Sequence, residues 1–73
     1  RNSVQLSFAG ETLDLEALEF ELEKMGTVQR NPFLLRFEID QYQITLFPDA
    51  RAIISGTDDV AIARSIYAKY VGN

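Results

Sequence analysis

Residues Phe33–Ser55, FLLRFEIDQYQITLFPDARAIIS, place two chain reversals between three apolar runs, and their reading decides the fold. Phe33, Leu35, Phe37 and Ile39 alternate with Leu34, Arg36, Glu38 and Asp40, the two-residue period of a strand with one face buried. Asp40-Gln41 is the tight turn into a second alternating run, Tyr42–Phe47, in which Tyr42, Ile44 and Leu46 share a face. Pro48 presets φ for the first central position of another turn, Phe47-Pro48-Asp49-Ala50, and Asp49 suits the next. The chain thus reverses again into a strand at Arg51–Ser55, and strands joined by such short turns run antiparallel.

Upstream, the strand-like stretch extends from Val28 to Asp40. Pro32 inside it cannot donate a ladder hydrogen bond, so pairing there is expected to be broken, at an edge, or just beginning. The preceding segment, LDLEALEFELEKMG (Leu13–Gly26), carries two periods: Leu18–Glu23 alternates, while Leu15, Leu18, Leu22 and Met25 recur at helical spacing. Composition decides for a helix, because Leu, Glu, Ala, Lys and Met are strong helix formers and no β-branched residue interrupts them. Thr12 or Asp14 can cap its start and Gly26 suits its end. Val4, Leu6 and Phe8 alternate with Gln5 and Ser7, which predicts a first strand over about residues 3–8. Downstream, Gly56 releases the last strand. Thr57 or Asp58 can cap a second helix, whose dipole the carboxylates of Asp58 and Asp59 complement, and Ile62, Ile66 and Tyr70 form its apolar stripe, with Ala63 and Tyr67 beside it.

The order β-α-β-β-β-α predicts an α+β two-layer sandwich: a four-stranded antiparallel sheet with both helices on one face. The expected core takes the inward set of each strand, Phe33 included, one of Ile53 and Ile54, and the two helical stripes with Met25 and Ile62. The opposite sheet face, Gln5, Ser7, Arg36, Glu38, Gln43 and Thr45, is polar and open to solvent or a partner.

At 73 residues the chain is a single domain, and folding at this size removes only roughly 60% of the unfolded surface from water. A 47% apolar content supplies a thin but sufficient core. The net charge of −4 argues against a nucleic-acid module, whose affinity rests on clustered Lys and Arg. No apolar run approaches the ~18 residues that span a bilayer, and the absence of cysteine favours a reducing compartment, so the expected location is cytoplasmic. Arg1 in the first position, in place of methionine, reads as an excised or processed piece of a longer protein.

Catalytic chemistry has little to work with. Histidine and cysteine are both absent, and Ser3, Ser7, Ser55 and Ser65 have no recognisable base. The four glycines are isolated and form no phosphate-binding loop. Glu16, Glu19 and Glu23 share a helix face but point outward, as a solvated face does, and Asp58-Asp59 is accounted for by capping. No catalytic, cofactor-binding or metal-binding residue is therefore assigned. Tyr67 and Tyr70 flank Lys69, where stacking on a nucleobase competes with a place at the core edge, and the core edge is preferred. On a helical wheel Phe20 lies nearly opposite the core stripe, with Ala17 and Leu13 on its side. Leu13, Ala17 and Phe20 on the helix, and Arg36, Gln43 and Thr45 on the open sheet face, are the candidate protein-binding residues.

One further signal is a resemblance. Leu46-Phe47-Pro48-Asp49, Arg51-Ala52-Ile53-Ile54, Gly56-Thr57-Asp58-Asp59 and Ala63–Gly72, with Asn31–Phe37 before them, resemble the C-terminal extension of the bacterial E1-like adenylyltransferases of the thiamine, molybdopterin and HesA type (ThiF/MoeB/HesA). The resemblance implies a noncatalytic accessory domain of an enzyme that adenylates a ubiquitin-like sulfur-carrier protein. It places ATP and Mg, and structural Zn in members with paired cysteines, in the parent's nucleotide-binding domain, outside this chain. The implied partners are that parent domain and the carrier; a homodimer or purely structural element is the alternative, and a nucleic-acid module a weaker one. At position 50 the family pattern reads Gly where this chain has Ala50. A left-handed φ there would strain alanine by ~1 kcal/mol, so that Ala50→Gly would then stabilise the domain.

Overall fold

The chain turns back on itself between Arg30 and Leu35, inside the stretch that alternation reads as one strand. Asn31 Oδ1 accepts hydrogen bonds from the backbone N–H groups of Phe33 (2.7 Å) and Leu34 (3.0 Å). The Asn31 N–H donates to the Leu34 carbonyl at 3.0 Å. Pro32 sits within this turn, where its missing N–H costs nothing. The computed structural model, which describes residues 2–72, therefore has a hairpin in place of a single strand.

The elements are β1 (Ser3–Ser7), α1 (Leu15–Leu22), β2 (Thr27–Arg30), β3 (Leu35–Ile39), β4 (Tyr42–Leu46), β5 (Arg51–Ser55) and α2 (Val60–Tyr70). Among the described residues the sheet has five strands in the order β1-β5-β4-β3-β2, with every neighbouring pair antiparallel. The expected α+β class holds, whereas the expected four-stranded sheet is corrected to five. Phe33, expected in the core, lies at the tip of the additional hairpin and is 75% exposed.

Register carries the core. One inward row runs Val4, Ile54, Ile44, Phe37, Val28 across the sheet, and the next runs Leu6, Ala52, Leu46, Leu35. Phe37, Leu35, Ile44, Leu46 and Ile54 are fully buried, each contributing about 1.5–3 kcal/mol by leaving water. Of the two candidate isoleucines it is Ile54 that points inward. Leu15 and Leu22 of α1, and Ala63, Ile66 and Tyr67 of α2, close the same core.

Local chemistry sets the helix ends. Asp14 caps α1, its Oδ1 accepting from the Ala17 N–H at 3.1 Å. The helix stops at Leu22, several residues before the expected end, because the Leu22 carbonyl receives the N–H groups of both Met25 and Gly26. Gly26 approaches β3 so closely that a Cβ there would lie 2.5 Å from the Glu38 carbonyl oxygen. Met25 thus falls beyond the helix and off its stripe, and it is exposed. The cap of α2 is Asp59, in place of the expected Thr57 or Asp58: Asp59 Oδ1 accepts from Ala61 (2.8 Å) and Ile62 (3.3 Å), and Thr57 Oγ1 accepts from the Asp59 N–H. Two aromatic contacts then fix the rotation of α2. Tyr67 stacks on Phe8 with centroids 4.7 Å apart, and Tyr70 meets Phe37 edge-on at 5.4 Å. This rotation turns Ile62 outward, against expectation, and Ala63 inward.

Candidate functional site

The candidate residues resolve into two surfaces on opposite sides of the molecule. The helices cover the inward sheet face, so the outward face is a bare layer. Its central row is Gln5, Ile53, Thr45, Arg36, Gln29, and the adjacent row is Ser3, Ser55, Gln43, Glu38, Thr27. Arg36 is exposed and Gln43 half-buried. Thr45, expected to be open, is only 8% exposed. It lies in the middle strand directly between Arg36 and Ile53, so a longer side chain flanks it at cross-strand distance on either side. Arg36 also borders a small polar cleft of about 160 Å³ beside the β2–β3 turn, lined with it by Gln29, Arg30, Asn31 and Leu34.

The second surface is the outer side of α1. Phe20 is 60% exposed, with the Lys24 ammonium 4.4 Å from its ring centroid, and Ala17 lies in the same shallow groove together with Asp14, Glu16 and Glu21. Leu13 does not join them. It precedes the helix, packs against the core, and donates its N–H to the Pro48 carbonyl at 2.9 Å. Wheel geometry cannot be extrapolated to a residue that is not helical.

The glutamate face of α1 has one structural tie. Glu19 Oε1 accepts from Arg30 Nε at 2.7 Å, joining α1 to β2. This hydrogen bond holds the exposed Arg30 guanidinium above its ordinary pKa. Among the described residues no three His, Cys, Asp or Glu side chains gather closely enough to hold a metal ion. No helix among them is long and apolar enough to cross a membrane.

Sequence reasoning missed two features. The first is a clamp on the Phe47–Arg51 turn: the Asp49 carboxylate accepts from Arg51 Nε at 2.8 and 3.0 Å and from the Arg51 N–H, while the Arg51 guanidinium lies 4.6 Å from the Phe47 ring centroid. The i, i+2, i+4 spacing of Phe47, Asp49 and Arg51 was its available signal. The second is the environment of the Tyr67 hydroxyl: the ring, expected at the core edge, is 5% exposed, and desolvation and then the charge of Glu11 raise the phenol pKa. Both surfaces offer contact area and hydrogen-bonding groups, which is the equipment of binding.

No family model matches the chain, and no solved structure does. Among curated proteins, the "sulfur carrier protein ThiS adenylyltransferase" of Bacillus subtilis (strain 168) is 45% identical to it over 74 aligned residues. The alignment covers 99% of this chain, and the chain spans 22% of that relative's length. The resemblance carried by the Phe47–Arg51 turn and the α2 segment therefore extends over nearly the entire sequence: this chain is similar to the C-terminal part of an E1-like sulfur-carrier adenylyltransferase.

Proposed function

We propose that this chain is the noncatalytic C-terminal interaction domain of an E1-like adenylyltransferase that activates a ubiquitin-like sulfur-carrier protein in the cytoplasm. The observation that carries this reading is the 45% identity, over nearly the entire chain, to the C-terminal part of a ThiS adenylyltransferase. The absence of histidine and cysteine supports a binding role over a chemical one. On this reading ATP, Mg and any structural Zn belong to the parent's nucleotide-binding domain. The bare outward sheet face around Arg36 and Gln43 is the surface offered to the carrier.

A second reading, packing on the parent domain or on a second copy, is favoured by the exposure of Phe20. Titrating the ¹⁵N-labelled chain with a ThiS-type carrier separates the two. Shifts confined to the Arg36–Gln43 region support carrier docking, and unmoved spectra overturn it. In the full-length parent, Phe20→Asp is expected to weaken domain packing or association while leaving the fold's stability within about 0.5 kcal/mol. Unchanged association and activity in that variant would remove the second reading.

A further inference from the structure

Each end of a sheet must be guarded or used, and the two ends here differ. β2 is short, is packed against α1, and ends in the Arg30–Glu19 pair and the Asn31-Pro32 turn. β1, Ser-Val-Gln-Leu-Ser, has neither charge nor proline and, among the described residues, pairs only with β5. Its open hydrogen-bonding groups follow from register. The Gly56 N–H donates to the Asn2 carbonyl at 2.9 Å, which makes Asn2 and Gly56 a hydrogen-bonded antiparallel pair. Such pairs recur every second residue, so Val4 and Leu6 are bonded to β5, and Ser3, Gln5 and Ser7 direct their backbone N–H and C=O groups outward. Beside this edge, between β1 and α2, runs a groove of about 380 Å³ lined by Ser7, Phe8, Arg64, Tyr67 and Ala68. Among the described residues Arg64 makes no ion pair, and the lining holds no carboxylate; Glu11, whose charge reaches the Tyr67 hydroxyl, lies outside it.

We propose that the β1 edge is a docking site for an extended acidic segment of a protein partner, which adds to the sheet as a sixth, antiparallel strand. The chemistry fixes the order of its residues. Side chains opposite Phe8, Leu6 and Val4 face the helix layer, and Arg64 lies at the Phe8 end. An antiparallel segment starts at that end, so its sequence is an acid, then apolar residues at the second and fourth positions after it. A second copy of this chain fits less well, because the strand it would bring, Ser3–Ser7, has no acid to meet Arg64.

The test uses the peptide acetyl-Asp-Thr-Val-Thr-Val-Thr-amide and the 73-residue chain. Saturable shifts are expected at the amides of Ser3, Gln5 and Ser7, with new exchange protection there and little change at Val4 and Leu6. Arg64→Glu should weaken binding on the order of fivefold. The peptide with Lys in place of Asp should reverse that preference. No saturation at millimolar peptide, shifts centred on α1 or the outward sheet face, or equal binding of both peptides by both proteins would overturn the proposal. The same shifts appearing with protein concentration alone would overturn it too, and would assign the edge to a second copy.

Discussion

Ala50 holds φ at 66° with its methyl fully buried, so two small terms oppose each other at one residue. Its N–H donates to the Phe47 carbonyl and the Phe47 N–H to the Arg51 carbonyl, the three-residue hairpin loop that ends in a left-handed residue. Strain at that φ costs alanine about 1–2 kcal/mol. Glycine would relieve it but forfeit about 0.8 kcal/mol of methyl burial, and about 0.4–1 kcal/mol through its freer unfolded chain. Ala50→Gly is thus expected within about 1 kcal/mol of the parent, whereas Ala50→Val should lose about 2 kcal/mol or more, read by urea unfolding. Strain relief alone would favour glycine outright; burial of the methyl, which the sequence does not reveal, removes most of that advantage. Tyr67 makes the second prediction at this scale. Its phenol pKa is raised above 10.0 by burial and then by Glu11, so folding favours the protonated form. The stability it contributes is present below pH 10.0 and lost as pH rises through the raised value. Tyr67→Phe should flatten that alkaline decline relative to the parent in denaturation midpoints measured across it.

Among the elements, β1, β4 and α2 were legible because period and composition agree in each, α1 because composition outweighed its two competing periods, and β5 because the Phe47-Pro48-Asp49-Ala50 turn and Gly56 bound it. The β2–β3 hairpin was not, although its signal was present. Val28 and Arg30 are inward at even positions, whereas Leu35, Phe37 and Ile39 are inward at odd ones. A continuous strand cannot exchange its faces that way, so the slip in parity, together with Asn31-Pro32, marks a reversal. The end of α1 was hidden for a different reason. Gly26 is required by the proximity of β3, a tertiary fact, and Met25 was carried into the core by a helical period that had already ended. Gly26→Ala should therefore cost about 1–3 kcal/mol, because its Cβ would meet the Glu38 carbonyl oxygen and the Phe37 ring. Unchanged stability in a thermal melt would mean that the α1–β3 approach is looser than described.

Across the whole molecule, the two-layer α+β plan followed from the amphipathic elements, but strand order did not. Nothing local says that β1 seeks β5. Nor could alternation show that Thr45 is covered, since that depends on which neighbours flank it. Of the candidate residues, Ala17, Phe20 and Arg36 lie exposed on the surface, whereas Leu13 is half-buried and Thr45 buried, because tertiary contacts decide exposure there. The β1–β5 pairing has a consequence in time as well as space. The strands β2 to β5 are joined by short turns and can zip successively, whereas Ser3 meets Ser55 across about fifty residues and must pay the closure entropy of that long loop. The N-terminal strand of this sheet is then expected to be the last placed, with the transition state for folding containing the meander without it. Val4→Ala, a change in a buried β1 residue, should accordingly speed unfolding and leave the folding rate nearly untouched in stopped-flow chevrons. Until β1 docks, the flank of β5 lies open, which makes that interval the one in which this small fold is most exposed to wrong partners.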